Sequence, residues 1–417
     1  MHSTSSQQVA DLGLEANTSC VLIKKQIISI EPMPTPVLKD DGVLVKVMAS
    51  GICGSDMHAY LAGGVGGRPI LSPTVMGHEA AGEVIAVGSA VTTHKAGDRV
   101  AIEPGLPCRT CANCKNGRSN ICSEMRYCGA PGTHGTLSRY FTLPADMAPH
   151  FPSSISWDEA GSIQPLAVSN RPPLTFPAYS QVFKIGVQIG KRAELGAHQT
   201  LAIFGCGPIG LITAAVAHAY SARKIIAFDI SPSRVDFAKK YRSPLTGKSI
   251  IDHVFLVDSL VDLEDRGLDN GDADHHVTPG DFKWEQAMRN MSRIIESCGL
   301  GLEGGVGRVI EASGAEDAML NGVAICKPGG IYLQVGLGHI QTHLFPTIAV
   351  TNKDLDVRGI TRYTASCFPS AIDLLARGAV DLKSLITAKY EMSRAGEALE
   401  AVRSGKEIKV IIRNQEV

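Results

Sequence analysis

The chain of 417 residues has almost no net charge, with 40 Lys and Arg against 41 Asp and Glu. Lacking a basic excess, it has nothing to draw it electrostatically to nucleic acid or to an anionic membrane. No apolar run approaches the roughly 20 residues that a membrane-spanning helix needs. Residues 1–19 contain no Lys or Arg. That excludes the basic start of a secretory signal and the Arg-rich pattern of a mitochondrial presequence, so the stretch reads as a disordered polar tail. What is present is an ordinary globular composition, 44% hydrophobic and 19% charged. The length exceeds what one core organises, so two domains are expected. Eleven cysteines make an odd set, and four of them cluster. Without a secretory signal, such clustering points to metal rather than disulfides, and to a reducing, cytoplasmic setting.

Short strand patterns with Gly, Pro and Asp at the turns fill the first part of the chain. They run Val21 to Ile30, Val43 to Met48, Ala80 to Val87 and Arg99 to Glu103, with a Pro-rich turn from Glu31 to Pro36. They predict a small, mostly antiparallel, barrel-like domain. Two loops projecting from it hold Gly51-Ile52-Cys53-Gly54-Ser55-Asp56 and Gly77-His78-Glu79. Cys53, His78 and Glu79 offer a thiolate, an imidazole and a carboxylate, ligand types that zinc accepts. Three protein ligands leave the open position that separates a catalytic zinc from a structural one. Either Cys53 or His78 alone would read as a buried core residue; the rest of the chain makes them a site. Cys108-x2-Cys111-x2-Cys114-x7-Cys122 follows. Four thiolates in a segment carrying Arg109, Asn113, Lys115, Asn116 and Arg118 fit a closed, structural zinc. Metal binding then orders a lobe too polar to fold by burial.

Further on, the apolar run Leu201 to Phe204 leads into Gly205-Cys206-Gly207-Pro208-Ile209-Gly210 and a helical pattern through Tyr220. Strand, G-x-G-x-x-G and helix, in that order, predict a dinucleotide site. Gly205, Gly207 and Gly210 permit a tight turn and close approach to a pyrophosphate, and Pro208 and Ile209 open the helix whose N-terminus stabilises it. The strand Lys224 to Phe228 ends at Asp229, 19 residues after Gly210. An acid there hydrogen-bonds the ribose 2′-hydroxyl and repels a 2′-phosphate, so NAD is expected over NADP. Arg234 would weaken that preference if it faced the ribose; otherwise it is a solvated helix residue. Strands at Val254 to Val257, Arg308 to Ala312, Ile331 to Val335 and Leu355 to Ile360 alternate with helices at Ala315 to Lys327 and Ser370 to Ala376, the pattern of a doubly wound parallel sheet. Val335-Gly336 follows a strand end, the edge where such sheets bind ligands. A second match, Gly299-x-Gly301-x-x-Gly304, lies after a helix (Trp284 to Cys298) and before a strand. That is the reverse order, and it reads as a loop. Asp258 to Asp281 reads as an acidic surface loop. The helix Arg394 to Ser404 and the strand Ile408 to Ile412 close the chain.

The two ligand loops, Gly97-Asp98-Arg99-Val100 and the four-cysteine lobe resemble the zinc-containing medium-chain dehydrogenase/reductase family. Within it, the chain resembles the polyol dehydrogenases that act on sorbitol, xylitol and L-arabinitol, over roughly residues 20–415. The resemblance implies a GroES-like catalytic domain at 20–165, completed by about 364–417, and a Rossmann NAD-binding domain at 166–363. It implies reversible oxidation of a secondary alcohol of a sugar alcohol to a ketose, with one catalytic and one structural zinc, in a cytosolic homotetramer. Ser55 and His58 would relay the proton, Val335 and Gly336 would approach the nicotinamide, and Arg362 and Tyr363 would hydrogen-bond the polyol hydroxyls. There are two departures from the pattern. Gln164-Pro165 stands where polyol dehydrogenases usually carry Glu-Pro, whose Glu is a metal ligand or just behind one; Gln keeps the shape without the charge. Arg171 to Ile185, rich in proline, reads as an insertion in what the family runs as a continuous helix. Two other readings compete: a zinc alcohol dehydrogenase for simpler secondary alcohols, and a catalytically impaired NAD-binding relative. Arg362-Tyr363 opposes the first, and the intact Cys53, His78 and Glu79 oppose the second.

Overall fold

A computed structural model describes residues 12–65, 68–167, 188–261, 278–337, 343–364 and 367–416. The chain divides into two compact units, Met1–Pro173 with Arg362–Val417, and Leu174–Thr361. The expected insertion at 171–185, and 262–277 of the expected acidic loop, lie outside the described residues.

The first unit is built on a six-stranded sheet around Gly42–Gly51, a run of β-branched and small residues. Its Val43, Val45 and Val47 point to one face and pack against Val84, Val100, Ile102 and Leu143. Leu44, of opposite parity, packs with Leu38 and Tyr140 on the other. Glu79–Val87 runs antiparallel to this central strand, and Arg99–Ile102 antiparallel to that. From the far end of the chain, Lys409–Arg413 pairs antiparallel to it, with Ile411 opposite Gly51, and Ile386–Glu391 lies parallel beyond. The C-terminus therefore completes the sheet that carries Cys53 and Glu79. A separate small sheet corrects one expectation. Val21 to Ile30 is not one strand but parts of a hairpin, Asn17–Lys24 and Ile27–Met33. It turns at Lys25-Gln26, where Gln26 takes a φ of 61° with no Gly or Asn to announce it. Pro32 lies inside the second strand; that strand is at the sheet edge, where a missing N–H leaves no ladder bond unmade.

The second unit holds a wholly parallel six-stranded sheet. Its order is His253–Leu256, Lys224–Asp229, Thr200–Phe204, Val306–Glu311, Cys326–Gln334, Asp356–Gly359. The first strand in sequence is thus internal, and the order reverses beside it, the crevice where doubly wound sheets bind ligands. All five residues of Thr200–Phe204 are buried, as expected of a strand covered on both faces. The helix Pro279–Ser297 starts five residues before the expected Trp284. Thr278 and Asp281 form a reciprocal capping box around Pro279. Gly299 to Gly304 forms a loop with one short 3-10 turn, Gly301–Glu303, between that helix and the next strand. Among the described residues no helix is long and apolar enough to cross a membrane.

Candidate active site

Cys53 is the N-cap of the helix Gly54–Ala62, directly after the central strand. His78 and Glu79 lie where the neighbouring strand begins, entered through Gly77. Gly77 has a φ of 91°, and a Cβ on it would lie 2.7 Å from Leu137 Cγ, so only glycine fits. Between them, Ile52, Met57 and Met76 are buried in one apolar cluster with Leu137, Val410 and Ile412, which fixes the two loops against each other. The Cys53, His78 and Glu79 ligand atoms all lie within 4.8 Å of one another.

Asp56 ties these loops together. Its Oδ2 accepts from Cys53 N at 2.9 Å, its Oδ1 accepts from Gly77 N at 3.2 Å, and Oδ1 faces His78 Nδ1 at 3.4 Å. Burial opposes its ionisation, but the His78 charge and the hydrogen bonds from His78 and Cys53 prevail and hold it below the ordinary aspartate range. Burial likewise lowers His78, and Asp56 and Cys53 outweigh it, raising the imidazole well above its usual value. With Nδ1 turned to Asp56, His78 Nε2 is left facing the cluster, 3.2 Å from Ser55 Oγ. Glu79 pairs with Lys409 Nζ, which also donates to Ile52 O at 3.0 Å; both residues are buried. With His78 a neutral ligand and Cys53 bound as thiolate, Cys53, Glu79 and Asp56 would bring three negative charges and Lys409 one positive. The deficit matches a divalent cation, and sulfur, nitrogen and oxygen donors suit zinc.

Gln164 is buried, 6% exposed. Its Nε2 donates to Tyr127 Oη at 3.1 Å, and the Tyr127 ring centroid lies 5.6 Å from that of His78. Arg362 stands 5.5 Å above the same Tyr127 ring and donates to Asn120 O at 3.3 Å. Tyr363 is buried against Phe368, and its hydroxyl accepts from Gly105 N at 2.9 Å. Tyr127, Arg362 and Tyr363 line one cavity with Glu103. His58 lies one turn beyond Ser55 on the Cys53 helix. The sequence reading assigned nothing to Asp56, Lys409 or Tyr127, and it set Glu103-Pro104 aside as no substitute for a Glu-Pro at the zinc, since it stands at a strand end leading into the cysteine lobe. For Lys409 a signal existed, a lone charge inside the apolar run Ile408 to Ile412. For Tyr127 there was none.

The four lobe cysteines also converge within 4.8 Å. Cys108 Sγ accepts from Cys111 N and Cys122 Sγ from Cys108 N, each at 3.3 Å. A set of four sulfurs suits a structural zinc.

In the second unit, Gly207 is the N-cap of the helix Pro208–Ala219, and a Cβ on Gly210 would collide with the Gly205 carbonyl. This is the close strand–helix packing that a dinucleotide turn requires. Asp229 accepts from Cys206 N at 2.7 Å and Ser231 N at 2.8 Å, so the acid at the end of the second strand is held to the turn. Arg234 lies in the first turn of the helix Pro232–Lys240. Val335 N and Gly336 N both donate to Glu311 O at 2.9 Å. The buried Glu311 carboxylate binds Gly314 N and Gln334 Nε2, joining two strand-end loops.

The alcohol dehydrogenase GroES-like domain model matches residues 39–153, and the zinc-binding dehydrogenase model matches residues 208–377. D-xylulose reductase A of Aspergillus oryzae is 36% identical over 402 residues, 96% of this chain and 98% of that protein. Among solved structures, L-idonate 5-dehydrogenase of Escherichia coli superposes with a TM-score of 0.74 at 24% identity, covering 96% of this chain and 98% of that one. 2R,3R-butanediol dehydrogenase of Bacillus subtilis gives 0.72 at 23%, covering 95% and 99%. These two likenesses show a shared fold. With both family models matched in chain order and a relative this similar along nearly its whole length, the chain belongs to the zinc-containing medium-chain dehydrogenase/reductase family, oxidoreductases that use zinc and NAD(H).

Proposed function

We propose that this chain is an NAD-dependent zinc polyol dehydrogenase that interconverts a secondary alcohol of a sugar alcohol such as xylitol, sorbitol or L-arabinitol with its ketose. The observation that carries the proposal is the convergence of Cys53, His78 and Glu79 within 4.8 Å, close to a Tyr127 ring that lines a cavity with Glu103, Arg362 and Tyr363. The relative named D-xylulose reductase supports a pentitol–pentulose pair.

Bound at these sites, zinc supplies the Lewis acidity that acidifies a substrate hydroxyl, and NAD accepts the hydride. Cys53, His78 and Glu79 would hold the metal, with Gln164 behind them, and the four lobe cysteines would hold the structural ion. Asp56 keeps a proton on His78 Nδ1 and so leaves Nε2 as the ligand atom. Ser55 Oγ, beside Nε2, takes the proton leaving the substrate hydroxyl and hands it along the helix to His58. Arg362 and Tyr363 bind the remaining hydroxyls. In the second unit, Gly205 to Gly210 cradles the pyrophosphate, Asp229 binds the ribose and excludes a 2′-phosphate, Arg234 flanks it, and Val335 and Gly336 border the nicotinamide. All eleven cysteines are unpaired, which supports a reducing, cytoplasmic setting; a homotetramer follows the family pattern.

The test is NADH formation by the zinc-loaded protein with xylitol, sorbitol, L-arabinitol and ribitol, with 2-butanol as comparator. Turnover of at least one polyol well above 2-butanol is expected; turnover of 2-butanol alone overturns the reading.

A further inference from the structure

The cavity in the first unit has a volume of about 40 Å³, room for roughly three waters or one hydroxymethyl group. Glu103 lines it, directly after the strand Arg99–Ile102, and its backbone N–H is used by Met147 O at 3.0 Å. The residue is 6% exposed, yet among the described residues its carboxyl has no hydrogen-bond or ion-pair partner. Its carboxyl oxygens are open to the cavity rather than enclosed by protein, so they are free to hydrogen-bond what enters it. The neighbours do not fill that role. Arg362 is committed to Asn120 O and to the face of Tyr127. Tyr363 Oη receives Gly105 N, leaving its own proton for the cavity. Burial, with Asp146 adding to it, pushes Glu103 up to about 8, so near neutral pH the carboxyl both donates and accepts. An uncharged acid, a phenol and a guanidinium around a space of this size match hydroxyl groups. Tyr127 lines this cavity, and its ring centroid lies 5.6 Å from that of His78.

We propose that Glu103 is a specificity-determining residue, hydrogen-bonding a polyol hydroxyl remote from the reacting carbon and so setting the preference for polyols over simple secondary alcohols. This rests on the polyol reading above. The zinc-loaded full chain is compared with Glu103→Leu and Glu103→Gln. Measured are kcat and KM for xylitol and 2-butanol, and, by calorimetry, the dissociation constant of xylitol from the NADH-loaded protein. For Glu103→Leu, the xylitol KM and dissociation constant should rise about tenfold, with kcat and 2-butanol turnover little changed. Glu103→Gln, which still donates and accepts, should stay within about threefold of the parent. Parallel losses for both alcohols, or unchanged xylitol binding in the Leu variant, overturn the proposal while leaving the polyol reading standing. If the Leu variant does not fold, a Gln variant that weakens xylitol and 2-butanol equally overturns it too. Parent enzyme that oxidises 2-butanol but no polyol removes the polyol reading and this proposal together.

Discussion

Asp56 shows how much of the centre depends on one side chain outside the converging trio. It holds both loop backbones and orients His78. Asp56→Asn should therefore lower affinity for the catalytic zinc about 10- to 100-fold. Dialysis against a chelator should strip that ion early while the four-cysteine site keeps its own. Glu103 gives a pH prediction. Its folded value is near 8 against an ordinary 4.5, so between those values the folded protein keeps a proton that the unfolded chain releases. Stability contributed at this position falls as pH rises through that window. Asp146, Tyr127, Tyr363 and Arg362 are charged or titratable groups around it. Glu103→Leu should melt above the parent, by a margin that is small near pH 4.5 and grows towards pH 8. A constant margin would contradict this. That Cys53, His78 and Glu79 come together was legible because candidate ligand chemistry is carried by residue type. Asp56 sat in the quoted motif, but its role depends on Gly77 coming within reach from another loop, which spacing does not reveal.

Among the elements, the cysteine lobe does more than close on itself. Its Asn120 carbonyl anchors Arg362, and its Ser119 lines the cavity. Cys111→Ser should remove one zinc per chain, open the lobe to proteolysis and raise KM for polyols through the loss of that anchor. Metal analysis with limited digestion checks the first two effects and steady-state kinetics the third. The parallel sheet was most readable at Thr200–Phe204, a buried apolar run followed by Gly205, and at Lys224–Asp229, an apolar run ended by Asp229. The hairpin from Asn17 to Met33 was not, because its turn residue Gln26 takes a positive φ without a residue type that signals one. Pro32 looked like a turn and is an edge-strand residue.

At the scale of the molecule, the chain's last strand returns to build the site. Lys409 lies over 300 residues from Glu79 in sequence and forms a buried pair with it. Lys409→Met should cost about 3–5 kcal/mol by leaving Glu79 uncompensated, and bound zinc should recover part of the loss. Denaturant unfolding with and without zinc measures both. The central claim is a catalytic zinc, held by Cys53, His78 and Glu79, that serves polyol oxidation. The most direct measurement is NADH formation from xylitol, sorbitol, L-arabinitol and ribitol by the parent and by Cys53→Ala, each with its zinc content determined. The parent should hold two zincs per chain and reduce NAD with at least one polyol. Cys53→Ala should hold one, still bind NADH, and turn over none. A parent with two zincs and bound cofactor that oxidises no polyol, or a Cys53→Ala variant with parental turnover, would contradict it.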